Sequence, residues 1–315
     1  GLTTICFTEH LDYEYPSPDG TVLFEVDVDA YEKKLYELKD KYKKDIEVLF
    51  GIEFGLLPHL ADRYNTVAKT HDFDFIIGSS HLIPAPWYKK DLDYIREHGT
   101  APKNMIHGDP YEKEFWEGRT VKAICKKYFQ TIIDNTAAYQ DFDTYAHIDY
   151  LIRYAPEKNK GYTYEKYASI LDKALNAIIE HDLALEINTA GYKYGLGQPN
   201  PQADILARYL KLGGEKITIG ADAHKPEHIA YDFKKAEELL KTLGFKYYTI
   251  FKTSACDASA VTWFLSTSYS SASVALMYGF VQRTLTTPMV SDPSRAQPIK
   301  DISRTKVFHL CPIII

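Results

Sequence analysis

The sequence predicts an α/β protein with a mostly parallel sheet, either closed into a barrel or doubly wound. Short apolar runs rich in Ile, Leu, Val and Phe recur along the chain, and such runs are typical of strands that are buried on both faces. Amphipathic helical segments separate these runs. Regular alternation of strand and helix up to about residue 252 favours parallel strands connected by helical crossovers.

The predicted elements follow one another in a fixed order. The predicted strands are 2–7, 46–54, 73–77, 142–148, 183–187, 217–220 and 247–251. The predicted helices are 28–42, 121–139, 164–180, 202–212 and 227–243, where apolar residues recur at helical spacing. Pro201 just before the helix 202–212 and Gly213 just after it are the usual residues for a helix start and stop.

The segment 83–118 follows the third predicted strand and differs from the rest of the chain. It is rich in Pro, Tyr, Trp and charged residues. Long insertions on strand-end loops are more often functional than decorative, so we expect this segment to serve the site.

Charge and cysteine content argue against several classes of protein. The chain has 37 Lys and Arg residues against 43 Asp and Glu residues, a net charge of −6, which argues against a nucleic-acid-binding surface. The four cysteines lie far apart and form no CxxC pair, which is typical of reduced thiols in a cytoplasmic protein. Neither a secretory leader nor a membrane span is expected. We therefore predict a cytoplasmic protein that acts on a small molecule; its oligomeric state is not predicted.

The composition changes near residue 252. Residues 253–315 are rich in Ser and Thr and show little amphipathic pattern before residue 280. A poorly ordered appendage and a segment foreign to the ancestral domain are both compatible with this composition. We therefore predict a domain at 1–252 and a tail at 253–315 to which the sequence assigns no role.

Metal-capable side chains recur at the carboxyl ends of the predicted strands. They are His10, Glu53, His81, His147, Asp222 and His224. In parallel α/β folds, these strand ends meet at one rim. Imidazole together with carboxylate suits Zn, Mn or Fe, and more than four ligands indicates more than one ion. Paired metals can hold a bridging hydroxide and neutralise a phosphoryl group.

A structural interpretation competes with this metal site. Any one of these histidines, taken alone, is more simply a capped or half-buried residue at a strand end. That interpretation does not explain why His, Asp and Glu side chains recur at the same end of successive strands. The set as a whole therefore favours a metal centre.

Five short motifs carry these side chains in a fixed order: Thr8-Glu9-His10, Gly51-Ile52-Glu53, Gly78-Ser79-Ser80-His81, His147-Ile148-Asp149 and Gly220-Ala221-Asp222-Ala223-His224. The ordered series resembles the polymerase-and-histidinol-phosphatase (PHP) superfamily over residues 1 to about 252. The stretch 147–154 and the motifs Glu186-Ile187-Asn188 and Gly191-Tyr192-Lys193 resemble its histidinol-phosphate phosphatase branch.

The resemblance implies a fold, a reaction and a set of ligands. The implied fold is a distorted seven-stranded β/α barrel, similar to a TIM barrel, with two or three divalent ions (Zn, Mn or Fe) at its carboxyl rim. The implied reaction is hydrolysis of L-histidinol phosphate to L-histidinol in histidine biosynthesis. By motif, the six side chains named above match metal ligands of the family, and Glu53 is the expected bridging carboxylate.

Three further residues are candidates for contact with the substrate. Arg153 follows the fourth predicted strand, and a guanidinium group matches two phosphate oxygens; an ordinary surface ion pair is an equally good interpretation. Asn188 and Lys193 follow the fifth strand. The predicted catalytic residues are Glu53, Asp222 and Arg153, which would support attack on phosphorus by a water of lowered pKa.

The start of the sequence departs from the family pattern. Members open with a strand that carries a His-x-His pair, so we expect one strand and two or three ligands to be absent here. The strand-like run 305–315, which contains His309, is a candidate for that place. Three functions stay open: a histidinol-phosphatase, a PHP phosphoesterase with another substrate, and an inactive remnant that serves as a binding or structural protein.

Overall fold

The computed structural model describes residues 2–17, 21–84, 107–253 and 306–312, the last of these as backbone only. The chain divides into two compact units, one formed by Gly1–Thr253 with Val307–Ile315 and the other by Ser254–Lys306. Residues 254–305, and residues 85–106 of the expected functional insertion 83–118, lie outside the described residues. The domain boundary at residue 252 therefore stays a prediction.

A six-stranded parallel sheet forms the centre of the first unit. Its strands are hydrogen-bonded in chain order: β1 (Thr4–Leu11), β2 (Glu47–Gly55), β3 (Phe75–Ser79), β4 (Thr144–Tyr145), β5 (Ala184–Asn188) and β6 (Ile217–Gly220). Two further strands, β7 (Tyr247–Thr253) and β8 (Lys306–Pro312), form a separate two-stranded sheet. The prediction of an α/β protein with a parallel sheet is confirmed, whereas closure into a seven-stranded barrel stays a prediction.

Within the candidate strand 305–315, the described residues 306–312 form β8, and this strand pairs with β7. These residues are extended, as predicted, but they are not hydrogen-bonded to the strand that carries His10.

Seven α-helices lie between the described strands: α1 (Val28–Tyr42), α2 (Ala61–Thr70), α3 (Val121–Ala138), α4 (Tyr164–Glu180), α5 (Ala190–Lys193), α6 (Ala203–Lys211) and α7 (Phe233–Leu243). The side chains of Asp27 and Thr120 accept hydrogen bonds from the first turns of α1 and α3, as N-cap residues do. Gly244, with φ of 95°, ends α7 in the left-handed conformation that glycine adopts most easily. None of the helices in the described part of the chain is long and apolar enough to cross a bilayer.

Several predicted elements differ from the structure. The predicted strand 2–7 is observed over Thr4–Leu11, so His10 lies within β1 and not after its end. The predicted helix 227–243 begins only at Phe233, because Pro226–His228 forms a separate 3-10 turn and Asp232 adopts a left-handed conformation. The predicted strand 142–148 pairs only at Thr144–Tyr145, because the chain turns away at His147, whose φ is 26°.

The core lies where the helices pack on the sheet. Strand β2 is buried along almost its whole length, and Phe50, Ile52 and Phe54 are completely covered. Tyr64 of α2 is also fully buried; its hydroxyl donates to the carbonyl of Gly55 at 2.7 Å and accepts from the amide of Leu57 at 3.1 Å. This pair of bonds fixes the chain where it leaves β2, next to the rim that carries the candidate site.

Candidate metal centre

The parallel register brings the predicted ligands to one rim of the sheet. His10 on β1 lies opposite Glu53 on β2. His81, His147 and Asp222 each come two residues after the end of a strand, β3, β4 and β6 respectively. Because the strands are parallel and paired in chain order, these positions face a common edge.

Glu53 lies at the centre of the cluster. Its Oε1 atom is 3.2 Å from Nε2 of His81 and 3.2 Å from Nε2 of His147. Burial alone would raise the pKa of this carboxyl, but the neighbouring His10, His147 and His81 outweigh burial and hold the pKa well below its usual range. Glu53 is therefore an ionised carboxylate that faces imidazole nitrogens on several sides.

Asp12 connects two of the imidazoles. Its Oδ1 is 2.6 Å from Nδ1 of His81, and its Oδ2 is 3.3 Å from Nδ1 of His10. Burial acts to lower the pKa of His10, but Glu53 and Asp12 outweigh it and raise this pKa to about 9. The carboxylate has room only because residue 55 is glycine, since a Cβ there would lie 1.7 Å from Oδ1 of Asp12.

The donor set fits a divalent cation. His10, Glu53 and His81 each offer a ligand atom, and these atoms all lie within 4.8 Å of one another. Among the described residues, Nδ1 of the buried His147 has no hydrogen-bond partner. Buried carboxylates are costly unless a cation balances them, and imidazole with carboxylate is the ligand chemistry of Zn, Mn and Fe.

Asp222 is held from two directions. Its Oδ2 is 2.6 Å from a terminal nitrogen of Arg153, and its backbone carbonyl accepts a hydrogen bond from Nζ of Lys193 at 3.0 Å. Burial would raise the pKa of this carboxyl, but the Arg153 guanidinium holds it well below the usual range. The φ of Asp222 is 50°, so both contacts hold a residue in the left-handed region.

Arg153 is a buried residue, with 4 % exposure, so a surface ion pair does not describe it. Besides Asp222, its guanidinium donates to Oδ1 of Asn200 and to Oδ1 of Asn188, each at 2.8 Å. Asn188 thus lies beside Arg153, but both residues contact protein groups. Their roles toward a substrate stay predictions.

His224 is the least enclosed of the predicted ligands. Its side chain is 64 % exposed, and Nδ1 lies 3.4 Å from Oδ1 of Asp222. Its ring stacks on that of His10, with ring centroids 5.7 Å apart. The structure therefore gathers His10, His81 and His147 around the carboxylate of Glu53. Asp222 and His224 lie beside this group.

Comparison with known proteins decides the family. The PHP domain profile matches residues 1–190 of this chain. The chain belongs to the PHP family. The resemblance predicted from the strand-end motifs is thereby confirmed.

Relatives of this PHP chain share one described activity. A probable histidinol-phosphatase from Thermotoga maritima is 37% identical, with 79% of this chain and 83% of the relative covered. A probable histidinol-phosphatase from Clostridium acetobutylicum is 28% identical, with 77% and 83% covered. The crystal structure of histidinol phosphate phosphatase from Lactococcus lactis, complexed with Zn, L-histidinol and phosphate, is 26% identical and has a TM-score of 0.64, covering 80% of this chain and 86% of that chain.

Sequence reasoning missed several residues of the PHP site. Asp12 lies two residues after His10, directly after the end of β1, and continues the alternation of that strand, a spacing that was visible in the sequence. Glu186 shares a face of β5 with Asn188 for the same reason. Asn200 gave no such indication, because its contact with Asp149, at 2.6 Å, joins two loops that are distant in the sequence.

A cavity of about 1210 Å³ adjoins the PHP site. It lies between β1, β6 and β7, and Glu53, His147 and Asp222 are among the residues that line it. Apolar side chains, among them Ile5 and Phe251, line much of the remainder. The volume exceeds what a small phosphate ester needs.

Proposed function

We propose that this chain is a metal-dependent phosphomonoesterase that hydrolyses L-histidinol phosphate to L-histidinol and phosphate. The observation that carries the proposal is the group formed by His10, Glu53 and His81 at the rim of a PHP fold. Relatives of this chain are described as histidinol-phosphatases, and the Lactococcus lactis structure contains Zn, L-histidinol and phosphate together. The cavity that adjoins the site is large enough for a small-molecule substrate of this kind.

The proposed metal ligands are the six residues at the strand ends: His10, Glu53, His81, His147, Asp222 and His224. This number of donors supports two or three ions, with Zn, Mn and Fe as the candidates. A divalent ion in such a site supplies Lewis acidity, which lowers the pKa of a water and neutralises charge on a phosphoryl group. Asp12 would orient the imidazoles of His10 and His81 toward the ion, as carboxylates next to ligating histidines do.

The proposed phosphate contact is Arg153. A guanidinium has five N–H donors, and three of its bonds go to Asn200, Asp222 and Asn188, which leaves donors for phosphate oxygens. The ammonium group of Lys193, next to the carbonyl of Asp222, would add positive charge on the same side. These groups would stabilise the charge that develops on the phosphoryl oxygens during attack by water.

Two finer features belong to the same proposal. Strand β7, which contacts β6 and β3, would continue the sheet toward a seven-stranded distorted barrel at 1–252, with 253–315 as a tail.

A cytoplasmic location is supported by Cys6 and Cys125, which are both free thiols in the structure.

A metal-reconstitution assay tests the function. Metal-stripped protein is supplied with Zn, Mn or Fe, and phosphate release is measured from L-histidinol phosphate and from a panel of unrelated phosphomonoesters. We expect His81→Ala to lose metal-dependent hydrolysis and His181→Ala, an exposed histidine at the end of α4, to retain it. Equal rates on all esters would favour a general phosphoesterase, and no bound metal with no hydrolysis would favour the inactive remnant.

A further inference from the structure

The backbone of His147 adopts an unusual conformation at a key point of the site. Its φ of 26° lies in the left-handed region, which non-glycine residues rarely occupy. This turn ends β4 and directs the imidazole inward, where Nε2 lies 3.2 Å from Oε1 of Glu53. A conformation of this kind persists only when neighbouring groups hold it.

Two hydrogen bonds hold the peptide groups of His147. Its carbonyl accepts from the amide of Tyr150 at 2.7 Å, within the turn that follows. Its amide donates to Oε2 of Glu186 at 3.1 Å. The second bond crosses from the end of β4 to a side chain of β5, so it is the one that ties the turn to the sheet.

Glu186 itself is held firmly. It is 5 % exposed, and its Oε2 also accepts a hydrogen bond from Nδ2 of Asn188 at 3.0 Å. Its other oxygen, Oε1, lies over Gly220 on the neighbouring strand, where a Cβ would approach to 1.9 Å. The bare backbone of Gly220 therefore provides the space in which this carboxylate lies.

We propose that Glu186 is a positioning residue: its carboxylate, lying over Gly220, accepts the amide hydrogen of His147 and thereby directs the imidazole at Glu53. The inference rests on the proposed metal-dependent function, and it assigns to Glu186 a role that it exerts through His147. Asn188 extends the same network to Arg153, because its Oδ1 accepts from the guanidinium while its Nδ2 donates to Glu186. Glu186 thus connects the ends of β4 and β5 beneath the ligands.

The test compares three substitutions in the full chain. Glu186→Leu removes the acceptor, whereas Glu186→Gln keeps an oxygen that can replace Oε2. Thr218→Val is the matched control, because Thr218 lies opposite Glu186 on β6, is buried, and bonds to Thr144 rather than to a predicted ligand. The measurements are the affinity of metal-stripped protein for Zn²⁺, in competition with a chromogenic chelator, and hydrogen exchange at the amide of His147.

We expect Glu186→Leu to weaken Zn²⁺ binding about 10- to 100-fold and to speed exchange at the His147 amide, while the Gln and control variants keep the wild-type values. The proposal is overturned if Glu186→Leu keeps the wild-type Zn²⁺ affinity and the wild-type exchange rate at the His147 amide. It is also overturned if Glu186→Gln loses as much Zn²⁺ affinity as Glu186→Leu.

If Glu186→Leu does not fold, Glu186→Asp replaces it. The shorter side chain should lose the hydrogen bond to His147, so a wild-type exchange rate at the His147 amide in this variant overturns the proposal. If the wild-type protein does not hydrolyse L-histidinol phosphate, the proposed function is refuted, but the measurements of Zn²⁺ affinity and of exchange at the His147 amide still test the role of Glu186.

Discussion

At the scale of single residues, two glycines make room for carboxylates that belong to neighbouring strands. Asp12 lies against Gly55, and Glu186 lies against Gly220. In both places an added Cβ would come closer than 2 Å to a carboxylate oxygen, with distances of 1.7 and 1.9 Å. The backbone of one strand thus determines where the carboxyl group of the next strand can lie.

Substitution of Gly55 tests this arrangement. In Gly55→Ala the new methyl group must displace Asp12 from His81 and His10, so we expect Zn²⁺ affinity to fall about 10- to 100-fold. The measurement is chelator competition with metal-stripped protein. Gly118→Ala is the control: φ there is +69°, but no atom lies within 4 Å of an added Cβ, so this variant carries a backbone cost without touching the site. Equal Zn²⁺ affinity in the two variants would contradict the expectation.

Asp109 provides a pH-dependent contribution to stability at the same scale. The residue is 4 % exposed and accepts hydrogen bonds from the hydroxyls of Tyr15 and Tyr150. Burial raises its pKa from 3.8 to about 6. Between these values the folded protein keeps a proton that the unfolded chain has released, so the free energy of unfolding falls as pH rises.

The variant Asp109→Asn isolates that contribution. Relative to the variant, wild-type protein should lose about 2 kcal/mol of unfolding free energy between pH 4.5 and pH 7. Urea denaturation of the metal-free protein at a series of pH values measures the difference. Parallel stability curves for the two proteins would show that the carboxyl titrates at its ordinary pKa.

At the scale of elements, the apolar runs and helical periodicities identified most of the fold in advance. The predicted helices 28–42 and 164–180 coincide with α1 and α4, because apolar residues recur at helical spacing along each of them. Helix α2 was not predicted; it buries two residues, Tyr64 and Ala68, as α1 buries Tyr31 and Leu35, but it has 10 residues where α1 has 15. The apolar spacing of α2 therefore repeats over fewer turns, which makes its pattern harder to recognise.

Tyr64 shows that even this short helix supports the site. Tyr64→Phe removes a buried hydroxyl that bonds to Gly55 and Leu57, leaving both backbone groups without that partner. We expect a loss of about 1–3 kcal/mol in the free energy of unfolding, measured by urea denaturation. Tyr42→Phe, at an exposed position at the end of α1, is the matched control and should change stability little. An equal effect in both variants would contradict a specific role for the buried hydroxyl.

At the scale of the whole molecule, we expect a cation bound at the Glu53 cluster to stabilise the folded protein, because it would balance the charge of the buried carboxylates. A metal that binds only the folded state stabilises it by about 2.7 kcal/mol when its concentration is 100 times the Kd. For a chain of this size, the melting temperature should therefore rise by about 4–5 °C on addition of Zn²⁺ to metal-stripped protein. Scanning calorimetry measures this shift. The variant His81→Ala should show little of it, and a similar rise in that variant would place the bound ion elsewhere.

The candidate site could be predicted only in part. Residues at strand ends were found because parallel strands must bring those ends together, and His10, Glu53, His81 and His147 do lie together. The partners of Arg153 could not be found in this way. Asn200 and Asn188 reach it from other loops and strands, and no local period relates those positions.

The sequence by itself determined the strand–helix alternation, the family and the residues at the rim, because each of these can be recognised from the spacing of nearby residues and from short motifs. Only the tertiary structure decided how the rim is held: Asp12 over Gly55, Glu186 over Gly220, and His147 and Asp222 turned into the left-handed region. The physical reason is that these features depend on the space between neighbouring strands and on backbone angles. Both are set by the packing of segments that are far apart in the chain.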